Sequence, residues 1–446
     1  MKDFTQGSIN KQLISFSAPM LMSALFQQIN NLADAAIVGR FISGNALAAV
    51  GISLNASSFL ISAIIGLTTG ASVLISQYYG AKNHEKMQRT LATSFIFLGT
   101  LAAIMTILGL VFSPFLLELL QAPAEIFADA LVYMRIIMSG VVFVVFYNMY
   151  KSYLLALGNS KIPLYILIVT SVVNIIIDLV MVAGLGFGLW ITALTTILAQ
   201  FLAALICYIY VRRNVPQLQI KKFLFDKALF LQILKYGLPA SLQLSFVNLA
   251  SLTITRLINS FGAAAMAAIT LAGRIDQMVN TPIVSISQAL STFVAQNMGA
   301  RKEKRARKAL KMALIQMLIV AVVISSILWL VGDNLIAAFT HYSDPNAGLI
   351  RQIGEDYLYI IVTFYFLFAF LFLFNGFYRG VGDAVMAMVF PVISLSIRTI
   401  SAYMLVHLAG MGPEALAWSI PIGWGITGIL SIFYYRSQRW KGKMAI

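Results

Sequence analysis

The sequence predicts an all-α integral membrane protein of twelve transmembrane helices, arranged as two six-helix lobes related by a pseudo-twofold axis along the membrane normal. Three observations predict it. The 446 residues are 60% hydrophobic and only 11% charged, with a mean hydropathy of +0.87, far from the composition of soluble domains. Apolar runs of about 20 residues, each long enough to cross a bilayer, recur along the whole chain. The second half also repeats motifs of the first.

The first apolar run, 13–39, is too long for the core of a signal peptide and lacks a small-residue cleavage site, so it is expected to remain as the first span. Further spans fall at 46–76, 91–120, 127–157, 162–184, 189–211, 229–259, 264–295, 309–340, 352–378, 384–409 and 414–435. The connections are rich in Gly, Pro, Asn and charge. The long one at 212–228, with Pro216 and Lys221-Lys222, is read as the linker between an N-lobe (1–211) and a C-lobe (229–446).

The formal charge of +15 raises the question of nucleic acid, but the basic residues cluster in short segments between apolar runs and leave no soluble domain to bind it. Lys82, Lys86, Arg89, Lys151, Lys161 and the segments 212–227, 301–311 and 436–443 fall on one side of a twelve-span arrangement. Glu118, Glu125, Asp129, Asp333, Asp344, Glu355 and Asp356 fall on the other. By the positive-inside rule both termini are cytoplasmic. The single cysteine, Cys207, excludes a disulfide framework or a cysteine metal site.

The duplication carries most of the organisation. QYYGAKNHEKMQRTL (77–91) aligns with QNMGARKEKRARKAL (296–310), GNALAAVGIS (44–53) with GAAAMAAITLA (262–272), and LALGN (155–159) with RGVGD (379–383). Two parallel six-span halves are an architecture of alternating-access transporters.

Of the sixteen acids, only Asp34, Asp178 and Asp276 fall well inside spans, where an ionisable side chain is costly and marks a functional site by default. Asp34 precedes Arg40 by six residues and Asp178 precedes Gly184 by six, so both lie roughly 9 Å below the outer helix ends and share a level. Asn174 is one turn from Asp178 on the same face. Thr195, Thr196 and Tyr133 reach a similar depth. Two carboxylates with amide and hydroxyl oxygens make a hard-oxygen site for Na⁺, or a desolvated pair able to carry a proton. The second half differs: Arg274, Asp276 and Arg398 supply its charges, and Arg398 is expected to neutralise Asp276, with a substrate role as the alternative.

Weaker signals have structural readings. GLGFG (184–188) joins two spans and is a tight turn rather than a phosphate loop. GLTTG (66–70) marks close helix packing. YFLFAFLFLF (365–374) is expected to face lipid, with the lining of a hydrophobic substrate cavity as the alternative, and the basic block 301–311 to face headgroups. GVGD (380–383) fits an intramembrane aspartyl protease pattern, but the chain has no Tyr-Asp pair and Asp383 sits beside Arg379 at a helix end, so no enzyme is expected.

Together these residues resemble the multidrug and toxic compound extrusion (MATE) transporters, in their DinF-like bacterial branch. The resemblance rests on Pro19, Gln27 and Asp34, the QYYGA and QNMGA segments, LALGN and RGVGD, and N-x-x-x-D at Asn174 and Asp178. It implies a multi-pass protein of the bacterial cytoplasmic membrane that exports organic cations or amphiphilic drugs in exchange for H⁺ or Na⁺. No other cofactor is implied, and a monomer is expected. The coupling pattern maps onto Asp34, Asn174, Asp178 and Thr196, which would be the metal ligands if the ion is Na⁺. Gln27, Tyr133 and Asn148 surround them, and Pro19 matches the proline at which the first helix bends. The NorM-like branch places acids in spans seven and ten; here the corresponding stretches, GLPASLQLSFVNLASL (237–252) and YIIVTFYFLFAFLFLF (359–374), hold none. A flippase for a lipid-linked precursor, a function of related superfamily members, is the alternative.

Overall fold

The computed structural model describes residues 1–220, 222–339 and 346–444; Lys221 and Asp344, two of the loop charges, lie outside them. Every regular element among the described residues is helical. In chain order these are α1 (Ile9–Phe41), α2 (Gly44–Gly80), α3 (His84–Leu119), α4 (Ala124–Ser139), α5 (Val141–Ala156), α6 (Lys161–Asp178), α7 (Trp190–Asn214), α8 (Lys227–Asn259), α9 (Ala263–Gly299), α10 (Glu303–Phe339), α11 (Ala347–Thr363), α12 (Tyr365–Val381), α13 (Ala384–His407) and α14 (Glu414–Arg436). A π-helical stretch, Leu179–Gly184, prolongs α6.

Eight of these, α2, α3, α6 with its π-helical extension, α7, α8, α10, α13 and α14, are long and apolar enough to cross a membrane. The pairs α4–α5 and α11–α12 make two more spans, bent by 47° and 54°. The remaining two of the twelve are α1 and α9, 33 and 37 residues long. Polar side chains interrupt both: Gln27, Asn30, Asn31 and Asp34 in α1, and Arg274, Asp276, Gln277 and Asn280 in α9. The expected single helices over 127–157 and 352–378 are thus each two. At the first break stands Gly140, packed so tightly on Ile197 that no side chain fits there.

The helices form two compact units. One comprises Ala18–Leu242 with Met1–Asp3, the other Gln243–Met444 with Phe4–Ser17, so the dividing points fall inside α1 and α8. In the first unit the GLTTG segment does what its spacing predicts. Gly66 and Gly70 of α2 lie against Ser241 and Gly237 of α8, main chain to main chain, and the Ser241 hydroxyl donates to the Ala63 carbonyl at 2.6 Å. In the second unit Gly376 and Gly380 of α12 lie in the same way on Ser287 and Ser291 of α9, with Ser287 Oγ donating to Phe372 O at 2.7 Å. This contact turns the YFLFAFLFLF run inward. Tyr365, Phe368, Leu371, Leu373 and Phe374 are buried, and Phe366 is exposed, which corrects the expectation of a lipid-facing run.

The duplicated motifs make duplicated turns. Lys82 and Arg301, at the same place in the two QxxGA segments, both adopt left-handed backbone, φ +58° and +56°. Gly158 and Gly382 do likewise at the ends of LALGN and RGVGD. The residue after each glycine caps the next helix: Asn159 Oδ1 accepts from Ile162 N at 3.3 Å and Asp383 Oδ1 from Met386 N at 3.4 Å. Asp383 also accepts from the Tyr434 hydroxyl at 2.6 Å, so the last residue of the GxGD pattern is a helix cap. Asp383→Ala should lower stability by about 1–2 kcal/mol, because the cap is lost and a hydroxyl is left unpaired. Thermal unfolding in detergent reads this; an unchanged midpoint would show that the cap contributes nothing.

In the second unit the QNMGA turn also holds the segment before α1. Phe4 N donates to Gln296 Oε1 at 3.1 Å, and Phe4 O accepts from Asn297 Nδ2 at 3.1 Å and Arg305 Nε at 2.9 Å. Lys302 Nζ donates to Thr5 O at 3.0 Å. The Phe4 ring is fully buried between Phe16 and Phe293, with centroids 4.9 and 5.4 Å away. Part of the basic block 301–311 therefore binds main-chain carbonyls instead of headgroups.

Candidate functional site

The two acids at one level belong to the first unit and converge from α1 and α6. Spacing of four residues puts Asn30 and Asp34 on one face of α1, and Asn174 and Asp178 on one face of α6. Asn30 Nδ2 donates to Asp34 Oδ2 at 3.2 Å and to Asn174 Oδ1 at 3.4 Å. Asn174 Nδ2 donates in turn to Asp178 Oδ2 at 3.2 Å. A chain of two amides therefore links the two carboxylates. From α7 the Thr195 hydroxyl contacts Asp178 Oδ1. Asp178, Asn174 and Thr195 are almost wholly buried, at 1%, 2% and 2% exposure, while Asp34 is half-buried.

Local structure sets Asp178 apart. It is the last α-helical residue of α6, and the π-helical stretch begins at the next position. The wider turn changes which side chains follow it on the inner face, an arrangement often found at functional sites. Beyond it Gly186 takes φ +70° in the GLGFG connection, the tight turn its sequence predicts.

A cavity of about 370 Å³ opens beside this network. Gln27, Asp34, Tyr133, Asn174 and Thr196 are in its wall, together with Gln200. Neither acid forms an ion pair with Lys, Arg or His among the described residues. Four polar atoms at the site are buried without a hydrogen-bond partner: Asn30 Oδ1, Asp34 Oδ1, Gln200 Oε1 and the Tyr147 hydroxyl oxygen. Lone-pair oxygens in excess of donors, beside two carboxylates with no counter-cation, call for a positive group. No group of three or more His, Cys, Asp or Glu that could hold a metal occurs among the described residues, so a metal here would rely on amide and hydroxyl oxygens.

The structure brings most of the expected residues together and separates others. Gln27, on the cavity wall, donates through Nε2 to Asn31 Oδ1 at 3.3 Å. Thr196 faces the cavity, but its hydroxyl donates to Thr192 O at 2.8 Å; the threonine at the acid is its neighbour Thr195. Asn148 does not line this cavity and donates to Val144 O within α5 at 2.8 Å. Pro19 stands within α1, which runs on through it, and Ser23 Oγ donates to its carbonyl at 2.9 Å. Asn30, Tyr147 and Gln200 were not singled out in the sequence. Asn30 had a readable signal, its spacing from Asp34, which repeats that of Asn174 from Asp178.

In the second unit Asp276 accepts from the Tyr365 hydroxyl at 2.6 Å and from Asn280 Nδ2 at 3.0 Å. Arg398 does not neutralise it through an ion pair, contrary to expectation, because the two carboxylate oxygens are turned to the tyrosine and the amide. Arg274 is exposed.

Comparison with known proteins gives a consistent result. The MatE family model matches residues 19–180 and 239–404. "Probable multidrug resistance protein YoeA" of Bacillus subtilis (strain 168) is 26% identical over 98% of this chain and 96% of its own length. "Probable multidrug resistance protein YpnP" of the same organism is 27% identical over 98% and 97%. A solved structure described as the outward-facing conformation of a multidrug resistance MATE family transporter of the MOP superfamily superposes with a TM-score of 0.91 at 22% identity, covering 98% of both chains.

Proposed function

Since the chain belongs to the MATE family of multi-pass membrane transporters, we propose that it exports organic cations or amphiphilic drugs and couples their exit to inward movement of H⁺ or Na⁺ through Asp34 and Asp178. One observation carries the reading: two carboxylates joined by Asn30 and Asn174, without a counter-cation, beside a cavity whose walls hold unpartnered oxygens. Such a site is complete only when it holds positive charge. A coupling ion and a cationic drug therefore compete for it, and that competition is the thermodynamic requirement for exchange. Both termini are assigned to the cytoplasmic side by the loop charges, and the protein acts as a monomer.

The surroundings of Thr195 support H⁺ as the ion. Its Oγ1 is within hydrogen-bonding reach of both Asp178 Oδ1 and Thr192 O, the latter at 2.9 Å. A hydroxyl carries one proton. Beside an ionised Asp178 it has to share that proton between two acceptors. Beside a protonated Asp178 it accepts from the acid and donates to the carbonyl, and every group is served.

The test is efflux of a cationic dye from purified protein in liposomes, driven separately by a pH gradient and a Na⁺ gradient. Transport under the pH gradient alone is expected. Transport under the Na⁺ gradient alone would reassign the ion, and no cation flux under either would overturn the proposal. Thr195→Val, which removes one hydrogen bond to the acid and keeps the shape, should slow coupled flux roughly tenfold. Flux equal to wild type would remove Thr195 from the mechanism.

A further inference from the structure

The second unit contains a polar cluster that the cation chemistry does not use. Both oxygens of Asp276 are occupied, Oδ1 by the Tyr365 hydroxyl and Oδ2 by Asn280 Nδ2. Arg398 is close enough to act electrostatically on Asp276 and on the buried Tyr357. Its guanidinium nevertheless forms no ion pair among the described residues, and its Nε is buried without an acceptor. Asn280 Oδ1 is also buried without a partner. The cluster thus lacks an acceptor for the arginine and a donor for the asparagine.

A guanidinium inside a membrane span is costly unless its donors are filled, and its planar fork matches the paired oxygens of a carboxylate or phosphate. The neighbouring side chains are aromatic: Tyr365 and Phe368 are buried, and Trp424 is part-exposed. Trp424 lies 6.3 Å from Tyr365 and 5.0 Å from Phe368, centroid to centroid. Gly423 lets this stretch of α14 come against α13 beside Arg398: a side chain at 423 would meet the Ser394 carbonyl oxygen at 2.6 Å, and Arg398 Cβ lies 3.4 Å away.

We propose that Arg398 and Asn280 form a second binding site for the anionic oxygen group, carboxylate or phosphate, of an amphiphile whose apolar body rests on Trp424, the part-exposed ring that covers Tyr365 and Phe368. Asn280 Oδ1 accepts an O–H or N–H of the same ligand. Asp276 balances the arginine charge from a distance, so the ligand is held by directed hydrogen bonds more than by net charge and is able to leave again.

Pyrenebutyrate and pyrenebutyltrimethylammonium share one aromatic body and carry opposite charge, which makes them suitable probes. Fluorescence titration of the full-length protein in detergent should show that Arg398→Gln weakens pyrenebutyrate binding roughly tenfold to a hundredfold. Arg398→Lys should retain part of the affinity. Binding of the cationic probe should stay at the wild-type value in both, which also reports that the variants are folded. Asn280→Asp keeps the arginine and places a negative charge beside it, so it should weaken pyrenebutyrate as well.

Native mass spectrometry of protein extracted from phosphatidylglycerol bilayers separates the sources of the anion. One retained phospholipid that is lost in Arg398→Gln, with no displacement by pyrenebutyrate, supports the site with a lipid phosphate as its occupant. Wild-type pyrenebutyrate affinity in both Arg398→Gln and Asn280→Asp, together with unchanged lipid retention, overturns it. The dependence of the cationic probe on Asp178 is read separately, so failure here leaves the first-unit reading standing.

Discussion

Asp178→Asn is expected to abolish coupled efflux while leaving the protein folded. The substitution is isosteric, and the amide oxygen still accepts from Thr195, but the site can no longer exchange a positive charge. Removing one member of a buried charge-assisted set typically costs about 2–5 kcal/mol, or roughly 30-fold to several thousandfold in affinity. Gradient-driven dye flux in liposomes should fall to the protein-free background. Because Asp178 is almost fully enclosed and Asp34 is half-buried with one unpartnered oxygen, Asp34→Asn should give the smaller loss of the two. Flux above half the wild-type value in Asp178→Asn would show that the acid is structural, whatever its surroundings.

Gly70→Val should be strongly destabilising in the first unit. A Cβ at 70 overlaps the Gly237 main chain and approaches the Ile233 carbonyl to 2.9 Å, and backbone cannot move aside as a side chain does. The overlap forces α2 and α8 apart along the stretch they share. A loss of about 3 kcal/mol or more is expected, seen as aggregation on extraction or a collapsed unfolding midpoint. Gly51→Ala is the internal control. It lies in the same helix with nothing near its Cβ position, so it should be neutral or slightly stabilising. Equal behaviour of the two variants would refute the contact.

Much of this was legible in the sequence because the bilayer simplifies the code. Spans could be counted from apolar length, and the acids stood out because lipid makes them expensive. The duplicated motifs marked duplicated halves, and the structure adds that their turns match, with left-handed Lys82 and Arg301. The bends at Gly140 and Phe364 were not legible, since hydropathy is blind to a change of direction inside an apolar run. Thr195 against Thr196 was beyond depth arguments as well. Adjacent residues differ by about 100° around a helix, and only packing decides which faces the acid. Arg398 misled for another reason: opposite charges at similar depth suggest a pair, but Tyr365 and Asn280 already occupied the carboxylate. The aromatic run was misread because α9 presents serines there and lets α12 come close.

The hold of Gln296, Asn297, Lys302 and Arg305 on residues 4 and 5 has a consequence for synthesis. The partners in the Phe4–Gln296 bond are 292 positions apart. At about 5–20 residues per second, Phe4 leaves the ribosome roughly 15–60 s before its acceptor exists. Phe4 and Phe16 stay unsatisfied for that interval, and closing so long a loop is entropically the last and slowest kind of contact to make. Deleting residues 2–8 therefore damages a packing event that completes only when the later half of the chain has been made. A chain that stalls before residue 296 advertises its incompleteness through the exposed aromatic pair Phe4 and Phe16.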